Sequence, residues 1–409
     1  MSSLRVGADI GGTFTDIVAI DEEGARFFGK TLTTPSQPEL GVLRGLEQAV
    51  RRSGRPLSSV ERVIHGTTLV TNAIIERRGA ITALLTTEGF RDQLEIASEG
   101  RYDSYDLHLQ RTEPLVPRYL RIPVRERIAA DGTVIEPLDD KSMGEIATAL
   151  KRHGVEAVAI SFLHSYRNSV HEELARSTLH KLIPEIAICI SSEVDPQIRE
   201  YQRASTTVAN AYTQPAVERY LRKLAEGLRH MGIKGDLLVM TSNGGVCSVD
   251  TAIRFPVRIL ESGPVGGVQA GIFHTQQSGE KNLVVFDMGG TTAKASLIRD
   301  GRALTTSEFE ASRSEGLHRG SGLPIRAPVV DMIEIGAGGG SIATINKLRF
   351  VQVGPKSAGA DPGPACYGLG GSLPTVTDAD LILGYLSPTR FLGGRMKLDL
   401  GAAERAIRD

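Results

Sequence analysis

Short stretches of alternating apolar and polar residues open the chain. The segments LRVGADI, FTDIVAID and ARFFGKTLTT are separated by polar or Gly-containing turns, and this period predicts three strands of an antiparallel meander. Leu40, Leu43, Leu46 and Val50 then recur at helical spacing, which predicts a helix near residues 39–52.

Strand and helix patterns alternate further along the chain. ERVIHG and ITALLTT read as strands around the helical segment TLVTNAIIERRG. Further helices are predicted from about residue 141 and over 170–182, with a strand over 157–162 between them. We expect these strands to form a mixed sheet packed against helices.

Two segments depart from this alternation. Residues 88 to about 135 are less regular, and we expect an insertion or lid in which Arg101, Tyr102 and Tyr105 contact substrate or a partner. A long helix from about residue 198 to 230 should link the two halves of the chain, and Pro215 would kink or split it.

A motif near the N-terminus returns in the second half. VGADIGGTFTDIVAID corresponds to VFDMGGTTAKASLIRDG. The matched residues are Asp9, Gly11, Gly12 and Thr13 in one copy and Asp287, Gly289, Gly290 and Thr291 in the other. This internal repeat predicts two related domains, over 1–200 and 236–400, joined by linking helices over 201–235.

Composition excludes several classes of protein. Lys and Arg number 47 against 48 Asp and Glu, a net charge of −1, so we expect no nucleic-acid partner and no anionic membrane surface. No apolar run approaches the roughly 20 residues of a membrane span. Three widely spaced cysteines form no CxxC pair, which argues against a zinc ribbon or a disulfide framework. We expect a cytoplasmic enzyme.

The duplicated turn offers the chemistry of a phosphate site. A glycine pair between two strands leaves backbone N–H groups pointing at one spot, which is an anion-binding nest, and the Thr hydroxyl adds a donor. The preceding Asp suits a hydrated Mg²⁺, which takes few protein carboxylates. Two facing turns would hold one polyphosphate from both sides, whereas the alternative is two ordinary hairpins. Neither copy is a Walker loop, which needs Gly-Lys-Ser/Thr at a helix start.

A third glycine cluster follows the strand-like VVDMIEI. Gly336, Gly338, Gly339 and Gly340 have no side chains to block a flat ring, which suits contact with adenine or ribose. The alternative is a dinucleotide fingerprint. Against it, Ser341 takes the place of the last Gly, and SIATINKLRFV after it reads as strand rather than helix.

Specific motifs run through the whole chain in order: DIGGTFTDIVAID, HGTTLVTNAIIERRGA, ESGPVGG, FDMGGTTAKA, GAGGGSIA, VGPKSAGADPGPACYGLGG and PTVTDADLILGYL. This set resembles the hydantoinase/oxoprolinase family, A subunit. The resemblance implies an α/β fold of two duplicated ribonuclease-H-like domains of the actin/sugar-kinase ATPase type. Each would hold a mixed five-stranded sheet flanked by helices, with a nucleotide cleft between the domains.

The same resemblance implies cofactors and partners. It implies ATP and Mg²⁺, a cyclic amide or ketone substrate, and a B-type partner subunit in a hetero-oligomer. It also implies a natural polypeptide longer than 409 residues, in keeping with a last segment that reads as a helix without a C-cap.

Roles for the matching residues follow from the resemblance. Asp9 and Asp287 would be catalytic and would bind Mg²⁺. The phosphates would lie against Gly11, Gly12, Thr13, Thr15, Gly289, Gly290, Thr291 and Thr292, and the nucleoside against Gly336, Gly338, Gly339 and Gly340. Lys294 stands where the first copy has Asp16. It is either a counter-charge for phosphate or a solvated strand residue.

Further candidates rest on single residues. His65 ends a strand, where open α/β sheets meet their ligands, and would act as an acid/base group or be structural. Asn72, one helical turn before Glu76, would face substrate or solvent. Residues 261–263 begin a Gly-rich helix that should pack closely. Cys366 is disfavoured as a nucleophile because no base is in view.

The leading functional hypothesis is ATP-dependent activation of a carbonyl oxygen. Phosphorylating a cyclic amide of the hydantoin, 5-oxoproline or lactam type would make its carbon electrophilic, so that water opens the ring. The same phosphorylation of a ketone enol, with bicarbonate, would make a carboxylase of the acetone or acetophenone type. A regulatory or reactivating ATPase would bind nucleotide without substrate-stimulated turnover. A sugar kinase is disfavoured because SAGADPGPACYG has no place in it.

Overall fold

The predicted meander begins the fold. The structure, a computed structural model, describes residues 3–11, 14–34, 37–290, 292–313, 319–346, 348–359 and 361–409. Its first elements are β1 (Leu4–Ile10), β2 (Phe14–Asp21), β3 (Arg26–Leu32), α1 (Pro38–Arg52), β4 (Val60–Thr67) and α2 (Leu69–Ile75). β1, β2 and β3 pair antiparallel, and β4 lies parallel to β1. The predictions of the meander and of the first helix are confirmed.

A separate parallel sheet interrupts the first one. It comes from the segment with β5 (Thr82–Thr87), α3 (Gln93–Ile96), β6 (Arg121–Val124), β7 (Arg127–Ile128), β8 (Val134–Glu136), α4 (Asp140–Arg152), β9 (Ala157–Ser161), α5 (Val170–Leu182), β10 (Ala187–Ile190) and α6 (Ser191–Val194). The strand order is β10-β9-β5-β6. β5 and β9 are buried along their whole length, as expected for parallel strands covered on both faces.

This interruption is larger than the insertion predicted over 88–135. ITALLTT forms β5, which pairs with β6 and β9 and not with the strands of the first sheet. The alternation of strand and helix patterns did predict β5, α4, β9 and α5 of this segment. It could not predict their pairing, because an all-buried strand fits either sheet equally well.

The chain returns to the first sheet through one long helix. α7 (Glu200–His230), β11 (Asp236–Met240), β12 (Val246–Ser248), α8 (Val249–Arg254) and α9 (Ser262–Ser278) follow. Pro215 lies inside α7 without splitting it, because burial of residues 203–213 among neighbouring elements holds this part of the helix. Neither α7 nor any other described helix is both long and apolar enough to cross a membrane.

β11 changes the predicted domain plan. It pairs parallel with β4, so the first sheet runs β12-β11-β4-β1-β2-β3. Over the described residues this sheet has six strands where five were predicted. The strand at residue 236 therefore completes the first sheet, instead of opening a second one.

The second half repeats the meander. It contains β13 (Leu283–Met288), β14 (Ala293–Arg299), β15 (Arg302–Ala303), β16 (Thr305–Ala311), β17 (Leu323–Val330), β18 (Met332–Ile335), β19 (Ser341–Ile345), β20 (Val351–Ser357), α10 (Val376–Ile382) and α11 (Leu400–Arg408). β14 pairs antiparallel with β13, β15 and β18. β19 confirms the prediction of a strand, and not a helix, after the third glycine cluster.

A hairpin from the second half packs on the first. Strands β16 and β17 leave the second sheet between β15 and β18; β17 contacts α7 and β16 contacts α2. Leu323 and Ile325 of β17 are buried in the main hydrophobic core, and the backbone N–H of Arg326 donates to Thr206 Oγ1 at 2.9 Å. The hairpin thus ties the two halves together.

Helix α9 lies between the two sheets. A Cβ at Gly271 would stand 2.6 Å from Val285 Cγ2 and 2.8 Å from Ile298 Cδ1 of the second sheet. On the other side α9 contacts β4 and β11. The predicted close packing of this Gly-rich helix is confirmed, and the glycines are what allow both sheets to approach it.

A substitution at Gly29 tests the packing of α1 on the first sheet. A Cβ at Gly29 would lie 2.1 Å from Gly45 O in α1, so Gly29→Ala must push the helix away from the strand. We expect the free energy of unfolding, measured by urea denaturation, to fall by about 2 kcal/mol or more.

Gly144→Ala in α4 is the matched control. No described atom lies within 4 Å of the position of its Cβ. This change should be neutral or stabilising by up to about 1 kcal/mol. Equal stability of Gly29→Ala and wild type would contradict the contact between β3 and α1.

Candidate functional site

The two glycine turns are closed by equivalent backbone hydrogen bonds. The N–H of Gly11 donates to Phe14 O at 2.9 Å, and the N–H of Gly289 donates to Thr292 O at 2.9 Å. These donors and acceptors occupy equivalent positions in the two copies. Gly12, Thr13 and Thr291, which were predicted to contact phosphate, lie outside the described residues.

Asp9 precedes the first turn and lies against the start of α9. A Cβ at Gly263 would stand 2.6 Å from Asp9 Oδ1, and a Cβ at Gly66 would stand 3.2 Å from the same oxygen. Gly66 is the neighbour of Asp9 on β4. The carboxylate is therefore held between a strand end and a helix start, both of which need glycine at this point.

The start of α9 is fixed to the first sheet by hydrogen bonds. Ser262 Oγ donates to Thr67 O at 2.9 Å and accepts from the N–H of Thr67 at 2.9 Å. The preceding residue, Glu261, has a left-handed backbone with φ 54°. This end of α9 cannot shift without breaking the pair of bonds to β4.

Lys294 approaches the same helix start from the second sheet. It is the neighbour of Asp287 on β14, and its ammonium forms a largely buried ion pair with Glu261. Glu334 lies 3.8 Å away on β18. Lys294 is therefore not a solvated strand residue, because its charge is matched inside the protein; a role as counter-charge for phosphate stays a prediction.

Asp287 faces the region where Asp9 lies. Its charge is one of the causes that raise the pKa of Asp9, so the two carboxylates are close enough to repel each other. α9 brings them together, because it contacts the first sheet with one side and the second sheet with the other. We define the cleft as the space between the two turns at the start of α9.

The pKa of Asp9 is raised from 3.8 to about 6. Desolvation is the largest cause, followed by the charges of Asp16 and Asp287, while the N–H of Ile10 and the ammonium of Lys30 act in the opposite direction. Although protein atoms crowd the carboxylate, the residue stays open to solvent on the cleft side. A cation bound there would lower this pKa and release a proton.

The third glycine cluster packs on the second turn. The N–H of Gly339 donates to Gly289 O at 2.9 Å, and that of Gly340 donates to Gly290 O at 2.7 Å. A Cβ at Gly339 would stand 2.8 Å from Thr377 Oγ1. We predicted that these glycines would line a nucleoside. Their N–H groups are instead used to brace the turn, since three main chains meet there.

Gly336 and Gly338 differ from their neighbours. Gly338 is buried, and its N–H donates to Ser341 Oγ at 2.8 Å. Gly336 is exposed, and no described atom lies within 4 Å of the position of its Cβ. Within this cluster, Gly336 keeps the open surface that a ring could cover.

His65 is buried on the opposite face of the sheet from Asp9. Its neighbour in register is Ala8, and side chains alternate between faces along a strand. Nδ1 donates to Ala8 O at 3.1 Å, and Nε2 accepts from the Tyr220 hydroxyl at 2.7 Å. Burial lowers the pKa of His65 to about 4. These bonds to β1 and α7 favour the structural alternative for His65, and its acid/base role stays a prediction.

Thr15 is also turned away from the cleft. Its hydroxyl is buried and lies 3.2 Å from Thr33 Oγ1, which donates to Gly11 O at 2.8 Å. Because the Thr33 proton is used on Gly11, Thr15 is the donor to Thr33. Thr15 supports the turn from beneath, and its contact with phosphate stays a prediction.

Asn72 and Thr292 are the last of the predicted site residues. Asn72 is exposed on α2, where its Nδ2 donates to Thr68 Oγ1 at 3.2 Å. Glu76 is paired with Arg78 at 3.1 Å. Thr292 is half-buried, and its carbonyl closes the second turn. The contacts of Asn72 are those of a helix surface, which favours the solvent-facing alternative.

A cavity of about 690 Å³ adjoins Asp9 on the face of the first sheet. Asp16 and Lys30 line it beside Asp9, and the three side chains form a row across β3, β2 and β1. Lys30 Nζ lies 2.6 Å from Asp16 Oδ1. Neither Asp16 nor Lys30 was assigned a role from the sequence. Side chains alternate between the two faces of a strand, so the register of the meander, once known, puts Asp16 opposite Asp9. This alternation was the signal in the sequence that could have identified these residues.

The described residues gather no group of three or more His, Cys, Asp or Glu side chains able to hold a metal ion. Asp9 and Asp287 are two carboxylates directed to one cleft. Such a pair suits an ion that takes most of its ligands from water and phosphate.

Two family models match the chain. The model described as hydantoinase/oxoprolinase matches residues 203–409, and that of the hydantoinase/oxoprolinase N-terminal region matches residues 5–183. An uncharacterized protein of Methanocaldococcus jannaschii is 42% identical over 98% of this chain and 60% of its own length. Caprolactamase subunit alpha of Pseudomonas jessenii is 38% identical over 99% of this chain and 58% of its own.

Two solved structures of related proteins also match the chain. The crystal structure of ATP-dependent caprolactamase from Pseudomonas jessenii matches with a TM-score of 0.81 at 38% identity, over 99% of this chain and 58% of that one. Nucleotide-free acetone carboxylase matches with a TM-score of 0.84 at 28% identity, over 100% of this chain and 58% of that one. The chain spans about three fifths of the length of these relatives.

A variant of His65 separates a structural from a catalytic role. His65→Leu leaves the buried Tyr220 hydroxyl without its acceptor, so we expect a loss of about 1–3 kcal/mol in the free energy of unfolding. The double variant His65→Leu/Tyr220→Phe should recover part of that loss. Urea denaturation measures both, with Tyr119→Phe on an exposed ring as control. Unchanged stability with lost ATP turnover would support a catalytic role.

Titration of Asp9 should make stability depend on pH. Its folded pKa of about 6 lies above the ordinary 3.8, so the folded state binds more protons than the unfolded state between these values. Stability therefore declines as pH rises through this window. Asp9→Asn should gain stability relative to wild type over the same window, measured by urea denaturation at a series of pH values. A constant difference across the window would contradict the raised pKa. Asp300→Asn, in an exposed turn, is the control.

Proposed function

The chain belongs to the hydantoinase/oxoprolinase family, and we propose that it binds ATP in the cleft and phosphorylates the carbonyl oxygen of a cyclic amide. One observation carries this proposal: two turns closed by equivalent hydrogen bonds, each preceded by an Asp, lie near the start of α9. A triphosphate is negatively charged along its length, so its oxygens can accept hydrogen bonds from backbone N–H groups of both turns.

The fold plan supports two related ATPase domains. In the first sheet β1, β2 and β3 form a meander, and β4 and β11 continue it in parallel with β1. In the second half β13, β14 and β18 repeat the meander. We propose that both units are ribonuclease-H-like and that the actin/sugar-kinase arrangement accounts for the cleft between them.

The residues of the cleft fit Mg²⁺. Asp9 and Asp287 repel each other without a cation, and desolvation adds to the raised pKa of Asp9. Asp9 and Asp287 would hold the ion, which when bound would neutralise charge on the phosphate oxygens. The exposed Gly336 is the part of the third cluster best suited to the nucleoside.

The proposed reaction consumes one ATP and two water molecules. The amide oxygen bonds to the γ-phosphorus, the bond from that phosphorus to the bridging oxygen breaks, and ADP leaves with the electron pair. The amide proton passes to a carboxylate of the cleft. Water then adds to the activated carbon, the ring C–N bond breaks as nitrogen takes a proton, and a second water releases phosphate. Orientation and charge complementarity are the contributions of this chain.

The whole activity needs more polypeptide than this chain. The chain covers about three fifths of its relatives, and one of them is named as a subunit. We propose that a B-type subunit joins it and supplies the groups that activate water for ring opening.

Acetone carboxylase supports a second candidate reaction. Its structure matches over the whole chain, and the same phosphorylation of a ketone enol would prepare it for carboxylation. Labelled bicarbonate distinguishes the two, because a carboxylase incorporates the label and ring opening does not. A panel of lactams, hydantoins and ketones, scored by ADP release with the partner subunit present, identifies the substrate class. Nucleotide binding without any stimulated turnover would favour a regulatory ATPase.

Asp287→Ala tests the cleft directly. The variant removes one of two carboxylates from the surface of the second turn, so we expect it to fold normally and to lose ADP release by about 100-fold or more. The measurement is ADP release together with thermal unfolding. Asp300→Asn, in the turn after β14, is the matched control and should keep wild-type turnover. Wild-type ADP release by Asp287→Ala would refute the assignment.

A further inference from the structure

The cavity beside Asp9 has an ordered floor. Phe28, Val18, Gly7 and Ile64 are neighbours in register across β3, β2, β1 and β4, and all four line the cavity. They form an apolar row.

A polar row lies next to the apolar one. Lys30, Asp16 and Asp9 lie two positions nearer the glycine turn on their strands, on the same face, and also line the cavity. The glycine turn begins two residues beyond Asp9. Along β1 the order is therefore Gly7 at the apolar floor, Asp9 at the polar row and Gly11 at the turn.

In this order the carboxylates of Asp9 and Asp16 lie between the apolar row and the glycine turn. A molecule on the apolar row would reach the polar row with one end, while a phosphate on the turn would reach it from the opposite side. The cavity volume of about 690 Å³ lies within the usual range for small-molecule sites.

A segment from the far end of the chain covers the cavity. Leu392, Gly393 and Arg395 line it, and the guanidinium of Arg395 donates to Lys30 O. The ring of Phe391 packs edge-on against Phe14 with centroids 6.4 Å apart. The other wall is α9, at Gly266, with Met240 beside it. The cavity is thus enclosed by both halves of the chain.

The polar row favours one kind of ligand. It presents two carboxylates and one ammonium, and Lys30 already pairs with Asp16. A carboxylate accepts hydrogen bonds, so it selects a group with an N–H donor. A cyclic amide has such a donor beside its carbonyl, whereas a simple ketone has none.

We propose that this cavity is the acceptor-substrate site and that it takes a compact, neutral cyclic amide. The ring lies on the apolar row, and the amide N–H donates to Asp16, which turns the carbonyl oxygen toward the cleft. This inference rests on the proposed function, since it supplies the acceptor for the phosphate held at the turns.

Filling the floor tests the site. Val18→Phe puts an aromatic ring on the apolar row, and Ile20→Phe puts the same ring on the same strand and face, one row outside the cavity lining. With ε-caprolactam as probe and a non-hydrolysable ATP analogue present, calorimetry should show affinity at least tenfold weaker for Val18→Phe and unchanged for Ile20→Phe. Equal affinity of Val18→Phe and wild type, or no lactam binding to wild type, would overturn the proposal.

Asp16→Asn tests the proposed orientation of the cyclic amide and leaves the apolar row unchanged. Its carboxylate lies in an exposed ion pair, so folding should not depend on it. Affinity for ε-caprolactam should fall about tenfold, the scale of a hydrogen bond to a charged group, and affinity for acetophenone should stay the same. Tighter binding of acetophenone than of caprolactam by wild type would overturn the selection for an amide.

Nucleotide affinity, measured separately, distinguishes this proposal from the proposed function. All three variants should bind the ATP analogue as wild type does. Loss of nucleotide binding in every protein, with lactam binding intact, refutes the ATP assignment and leaves the cavity assignment standing. Nucleotide binding intact with lactam affinity insensitive to Val18→Phe refutes the cavity alone.

Discussion

The close approach of β4 and α9 to the Asp9 carboxylate is the constraint on which the rest of the site depends. Neither Gly66 nor Gly263 has room for a side chain next to Oδ1. Because α9 starts there and is bonded to Thr67, its direction is set by the first sheet. The second sheet then packs along the same helix at Gly271. The relative position of the two glycine turns thus depends on the close contacts at these three glycines.

The two turns share a backbone and differ in their charges. In the first copy Asp16 lies opposite Asp9 and is paired with Lys30 on an exposed surface. In the second copy the equivalent position holds Lys294, paired with Glu261 in a largely buried site. Removing one partner of a buried pair is costly, so the second pair anchors the helix start. The first pair, being exposed, is available to a ligand.

Local pattern predicted the elements well, and pairing partners poorly. α1, α5 and the meander follow from the spacing of residues such as Leu43 and Leu46, because one element's own geometry dictates that spacing. β5 and β11 could not be assigned to a sheet, since pairing depends on distant segments. The faces of Thr15 and His65 depend on register, which shifts a side chain to the opposite face with each residue. The bracing role of Gly339 depends on contacts with Gly289 and Thr377, which are far apart in sequence.

The β16–β17 hairpin has a mechanical consequence. Ile325 is buried in the core of the first half, while both ends of the hairpin continue into the second sheet. The second half therefore cannot swing open as a free body, because such a motion would extract apolar side chains from the core. Any widening of the cleft must instead be a rotation of the second half about the hairpin. Such a rotation gives small displacements near α7 and larger ones at the glycine turns.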